Sequence, residues 1–138
     1  MSGELIGEFR GKTIGMRIVE ILENGMKAES TDHSTGRLLG IDAEDTGTNW
    51  QVWRFPDNIH GEGIGVITSK NGEIATYTVS GTGRGTVGSS EAIFHAIMNF
   101  RSSTPQWSRL NGSPVMVEYK VDSEDNIHWK LWEWKEKT

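Results

Sequence analysis

The chain has no cysteine, which excludes a disulfide framework, a thiolate nucleophile and a Cys-ligated metal. That absence fits a reducing compartment. No apolar run approaches the ~20 residues that a membrane-spanning helix needs. The opening residues, Met1-Ser2-Gly3-Glu4-Leu5-Ile6, lack a basic stretch followed by an apolar one, so no signal peptide is read there. The expectation is a soluble, cytoplasmic protein with no membrane partner. Basic residues are also few, with fourteen Lys and Arg against nineteen Asp and Glu and a formal net charge of -5. They are scattered, and the one local cluster, Lys130, Lys135 and Lys137, alternates with Glu133 and Glu136. Polyanions reward clustered basic residues, so nucleic acid is not expected as a partner either. At 138 residues the chain is long enough to close one core, and a single domain over 1–138 is expected.

Glycine, by contrast, is abundant. Seventeen glycines in 138 residues are well above the usual share of ~7%, and they sit at turns and in alternating runs. His60-Gly61-Glu62-Gly63-Ile64-Gly65 and Ser80-Gly81-Thr82-Gly83-Arg84-Gly85 flank a turn at Lys70-Asn71-Gly72. Asn-Gly between alternating segments is a strong hairpin signal. A three-residue loop there sets Gly61 opposite Gly81, Gly63 opposite Val79 and Gly65 opposite Tyr77, so both glycine runs share one face, predicted to be interior. Either Trp rings from neighbouring strands or a ligand would lie on that bare wall. A phosphate-binding loop is excluded, because these glycines lie inside strands and no helix follows them.

Apolar alternation recurs every ten residues or so along the rest of the chain, with turn signals between, which predicts an antiparallel all-β fold. Thr13 to Leu22 reads as a strand with Ile14, Met16, Ile18 and Leu22 on one face. A three-residue loop at Glu23-Asn24-Gly25 would set Leu22 opposite Met26, Ile18 opposite Ser30 and Met16 opposite Asp32. In Asn49 to Phe55 both faces are apolar, so its orientation stays open. Ala92 to Phe100 reads as a strand with Phe94, Ala96, Met98 and Phe100 on one face, a helix being the alternative. Arg101 to Ser113 is the longest irregular stretch, either a lid or a crossing at a barrel end with Trp107 plugging the core. The chain closes in a hairpin with Val115, Val117, Tyr119, Val121, Ile127, Trp129 and Leu131 facing inward. Eight to ten strands in an up-and-down meander predict one closed antiparallel β-barrel. A β-sandwich is the second architecture.

The glycine-patterned hairpin, the Arg109-Leu110-Asn111-Gly112 loop and the closing Val117-Glu118-Tyr119-Lys120-Val121-Asp122 and Trp132-Glu133-Trp134-Lys135 segments resemble the small calycin and allene-oxide-cyclase-like barrels. The likeness is to their uncharacterised prokaryotic members. It implies a central apolar cavity, used by some relatives to bind hydrophobic small molecules and by others to cyclise them without a cofactor. No catalytic residue is carried over from those cyclases.

Three functions follow from this pattern. The first is binding of a small, mostly apolar ligand in the barrel interior, lined by Ser30, Asp32, Gly61, Gly63, Tyr77, Gly81, Phe94, Met98, Tyr119 and Trp129. The second is a cofactor-independent cyclase or isomerase. There Asp32, with a pKa raised by burial, and Tyr77 would move protons on a bound carbonyl or epoxide, unless Asp32 and Glu20 sit at the barrel mouths in water. The third is a filled structural barrel that forms a homodimer through outward Trp132 and Trp134. No metal is expected, because His33, His60, His95 and His128 all fall on outward faces and diverge, and no cofactor is called for.

Overall fold

The computed structural model describes residues 3–86 and 89–134. Val87 and Gly88, and with them part of the expected turn before Ala92, lie outside the described residues, as do Lys135, Glu136 and Lys137 of the basic cluster. Eight strands form one closed antiparallel barrel in chain order: β1 (Gly3–Leu22), β2 (Gly25–Leu38), β3 (Ile41–Arg54), β4 (Asn58–Thr68), β5 (Ile74–Gly85), β6 (Ala92–Arg101), β7 (Val115–Val121) and β8 (Asn126–Trp134). β8 returns to pair with β1, which removes the sheet edges along the barrel body. The only helical piece among the described residues is a 3-10 turn at Ser108–Leu110, so Ala92 to Phe100 is the strand and not the helix. Among the described residues no helix is long and apolar enough to cross a membrane.

Turn chemistry sets the registers. Leu39 and Gly40 both take positive φ, 50 and 78 degrees, the type I′ geometry that matches strand twist, and Leu38 pairs with Ile41 across them. In the β4–β5 hairpin Gly72 takes φ of 92 degrees. Gly61 then faces Gly81, Gly63 faces Val79 and Gly65 faces Tyr77, as the Asn71-Gly72 turn predicts.

The β1–β2 register differs from its prediction. The loop is the two residues Glu23 and Asn24, with Leu22 opposite Gly25, and β1 carries irregularities between Thr13 and Gly15 and between Ile18 and Glu20. Each extra residue shifts the pairing by one. Met16 therefore faces Ser30, Ile18 faces Ala28, and Asp32 lies opposite Thr13. Lys12 is its last residue paired with β8, Thr13 N–H still bonds the Asp125 carbonyl at 3.0 Å, and from there on β2 is the strand's only pairing partner among the described residues. The apolar face expected to be core is exposed there, with Ile14 at 68%, Met16 at 58% and Ile18 at 55%, and so is Ile21 on the other face; Glu20 is exposed as well.

One end of the barrel is closed. Trp107 and Leu110, from the loop between β6 and β7, are fully buried, and the Trp107 indole N–H donates to the Leu38 carbonyl at 3.1 Å. That loop is a plug and not a lid. Above it Phe9 stacks on Trp129 at 4.5 Å between ring centroids, within a core that includes Ile67, Phe100, Val115 and Leu131. A smaller cluster of Trp53, Ile59 and Ala92 forms toward the other end, with Met26 and Phe94 packed on it.

Candidate functional site

A cavity of about 600 Å³ is lined by members of both clusters. Its walls are mainly apolar and aromatic, from Met26, Trp53, Val79, Phe94, Met98, Val117, Tyr119 and Trp129, and its outer rim includes the exposed Ile14, Met16 and Phe55. The glycines of β4 and β5 do form a bare inner wall; phenol, phenyl and amide groups occupy most of it, and of the expected Trp rings that of Trp53 lies against Gly85, 2.9 Å from where a Cβ would stand. A Cβ on Gly65 would fall within the Tyr77 ring, and one on Gly83 would stand 2.6 Å from the Phe94 ring. Gly63 is covered by the Asn49 side-chain oxygen.

Strand alternation brings polar side chains from β2 and β3 to the floor of this space. On β2, Ser30, Asp32 and Ser34 are inward and buried; on β3, Asp45 is inward and buried, followed by Gly47, Asn49, Gln51 and Trp53. This orients the strand whose two apolar faces left it ambiguous. The Trp50 indole N–H instead bonds Glu62 on the outer surface at 2.9 Å.

Two carboxyl–phenol pairs result. Tyr119 donates its hydroxyl to Asp32 Oδ2 at 2.7 Å, and the Asn49 amide N–H donates to the same oxygen at 2.8 Å. Asp32 Oδ1 takes no hydrogen bond from the described residues. Tyr77 donates to Asp45 Oδ1 at 2.7 Å. Ser34 faces the other oxygen of Asp45 at 3.5 Å and itself accepts from the Trp129 indole N–H at 3.1 Å. The expected Asp32–Tyr77 partnership is thus exchanged: Tyr77 belongs to Asp45, and Tyr119 to Asp32. Gly47 separates the pairs, since a Cβ there would stand 2.7 Å from the Tyr77 hydroxyl and 3.1 Å from Asp32 Oδ1.

The electrostatics follow from burial, with no cationic side chain on the cavity wall and only the outward His33 near enough to favour the Asp32 charge. Neither Lys, Arg nor His is among the described residues that line the cavity. Desolvation raises the Asp32 pKa, and the hydrogen bonds from Tyr119 and Asn49 offset part of that rise. Asp45 is pushed up to about 7, chiefly by burial, with Tyr77 pulling it back and the Asp32 charge pushing it further up. Burial, aided by the neighbouring carboxylates, raises both Tyr77 and Tyr119 above the ordinary phenol value, so both remain donors at neutral pH.

Of the ten residues singled out from the sequence, nine line the cavity, and Gly63 is sealed beneath Asn49. Asp45, Ser34, Asn49 and Gln51 were missed. For Asp45, Asn49 and Gln51 the signal was the parity of Ile41 and Ala43, which continues through Asp45 and Gly47 on β3; for Ser34 it was that of Ser30 and Asp32 on β2. The histidines stay on the outside: His60 pairs with Glu62 and His95 with Glu118, both at 3.7 Å, while His128 bonds Glu8 and His33 faces Thr46. Among the described residues no cluster suits a metal ion. Trp132 and Trp134 lie on the outer face of β8, Trp134 being 48% exposed.

Fold and site together define a closed eight-stranded barrel with an apolar interior cavity and a carboxyl–phenol floor. Solved structures share that fold. A conserved protein of unknown function from Rhodopseudomonas palustris is 12% identical with a TM-score of 0.82, over 96% of each chain. A beta-barrel-like protein from Acinetobacter baumannii is 12% identical with a TM-score of 0.81, over 97% of this chain and 96% of that one. An enzyme from Penicillium herquei is 14% identical with a TM-score of 0.66, over 96% of this chain and 94% of that one. At these identities the likeness is one of fold alone. No protein-family model matches the chain, and no curated protein matches it.

Proposed function

We propose that this barrel binds a small, mostly apolar molecule in its interior. The observation that carries this reading is the cavity itself: about 600 Å³, within the ~300–1,000 Å³ of small-molecule sites, with apolar walls and a few placed polar groups. A filled structural barrel would have no such space. Native mass spectrometry of freshly purified protein, together with titration of the neutral dye Nile red, tests it. The wild type is expected to carry a non-covalent adduct or to bind the dye saturably. Ala96→Trp, which sets an indole into the cavity, is expected to lose both while keeping its β-sheet circular dichroism. A wild type with neither adduct nor saturable dye binding would overturn the reading.

Acid–base catalysis without a cofactor is the second reading, favoured by a specific observation. Asp45 sits near pKa 7, where one carboxyl can give or take a proton at neutral pH, and the Tyr77 hydroxyl beside it, whose one proton goes to Asp45, keeps oxygen lone pairs that can accept from a ligand. Asp32 with Tyr119 repeats the arrangement. Turnover of an identified ligand that falls by 100-fold or more in Asp45→Asn, with binding kept, is the expected signature of an enzyme.

A further inference from the structure

We infer that the molecule held in this cavity carries a positively charged amine on its apolar body, and that Asp32 receives it. This rests on the binding reading above and names the chemical class of the ligand.

The argument is one of charge balance. Asp32 and Asp45 are 4% and 1% exposed, yet no cationic side chain among the described residues lines the cavity. A buried carboxylate without a counter-charge in contact is strongly unfavourable, and here two face one cavity, with only His33, on the outer face, acting on Asp32 from behind. Their hydrogen bonds are unevenly placed. Asp32 concentrates both of its donors, Tyr119 and Asn49, on Oδ2, which leaves Oδ1 as a free acceptor beside the bare Gly47. A residue with a side chain at 47 would fill that place.

Aromatic rings and a further carboxylate favour a cation too. Tyr77, Tyr119 and Trp129 present aromatic rings, whose faces attract ammonium groups. At the rim Asp125 adds a further carboxylate, and the formal net charge of -5 draws cations toward the mouth and repels anions. The cost of desolvating the carboxylates is met in the empty protein, so an entering amine gains the attraction without adding that cost. A carboxylate or phosphate ligand would meet like charge at both ends of the cavity.

An isosteric series tests this. 4-Phenylbutylamine, 4-phenylbutan-1-ol and 4-phenylbutyrate share one apolar body and differ only in the head group, and their affinities are measured at pH 7 by displacement of Nile red. The amine is expected to bind at least 10-fold more tightly than the alcohol, and the carboxylate more weakly than either. Asp32→Asn is expected to bring amine and alcohol within about 3-fold of each other, chiefly by weakening the amine. Equal wild-type affinity for amine and alcohol, or a preference for the carboxylate, would overturn the charge inference and leave the apolar-cavity reading standing. Failure of all three to bind, and of the dye itself, would remove both. The wild-type series decides the matter even if Asp32→Asn does not fold.

Discussion

Replacing Asp45 by Asn should change how the stability of the barrel depends on pH. In the folded chain this carboxyl is held near 7 in place of its ordinary 3.8, because it is buried. A group whose folded pKa lies above its unfolded one contributes stability that is fully present below the unfolded value and lost as pH rises through the folded value. The window therefore runs from about pH 4 to pH 8. At about 1.4 kcal/mol per pH unit of displacement, the loss across it is on the order of 4 kcal/mol. Against a typical total of ~5–15 kcal/mol, that is a large share. Asparagine preserves the shape, keeps an oxygen for the Tyr77 hydroxyl and turns its amide toward Ser34. In urea, with a slope of about 2 kcal/mol per M, the wild-type midpoint should fall by roughly 2 M between pH 4 and pH 8, and the Asp45→Asn midpoint by much less. Titrations remote from Asp45 cancel in the comparison, including the lowered Glu8 and Asp122 on the surface; Asp32 is coupled to Asp45, so its raised titration eases in the variant and flattens the Asp45→Asn curve further. Parallel curves for the two proteins, or a wild type more stable at pH 8 than at pH 5, would refute the reasoning.

Other substitutions test the packing. Gly65→Ala puts a methyl group into the Tyr77 ring and should cost about 1–3 kcal/mol as overpacking, with a change in the near-ultraviolet circular dichroism as the phenol moves. Trp107→Ala opens the closed end of the barrel and should cost about 3–5 kcal/mol in chemical denaturation. Ile21→Thr, on the exposed part of β1, should stay within about 0.5 kcal/mol of the wild type. An Ile21→Thr cost as large as that of Trp107→Ala would mean that this face is covered in solution.

How far the sequence disclosed this structure depended on the local chemistry of each segment. The β4–β5 register was legible because Asn71-Gly72 defines a turn and the pairing that follows runs without a bulge. The β1–β2 register was not, because two bulges leave no mark on the alternation of Ile14, Met16 and Ile18. Alternation also says which residues share a face, not whether anything covers that face, and past Lys12 nothing from β8 does. Asp32 and Tyr77 were legible as interior groups, but their partners were not, since Tyr119 reaches Asp32 across 87 positions of sequence. Asp45 was hidden for a different reason. It sits among Asp42, Glu44 and Thr46 on a strand with polar residues of both parities, where a buried acid looks like one more surface charge.

Trp107 and Leu110 make the barrel a cup with one mouth, and this has a kinetic consequence. Any molecule that enters must leave by the way it came, past the same rim of Ile14, Met16 and Phe55. Changes to that rim then raise or lower the barrier for entry and exit together, altering exchange rates while leaving the equilibrium almost untouched. Changes at the floor would act on the bound state, shifting occupancy and exit rate together, so the entry rate alone would report on the rim.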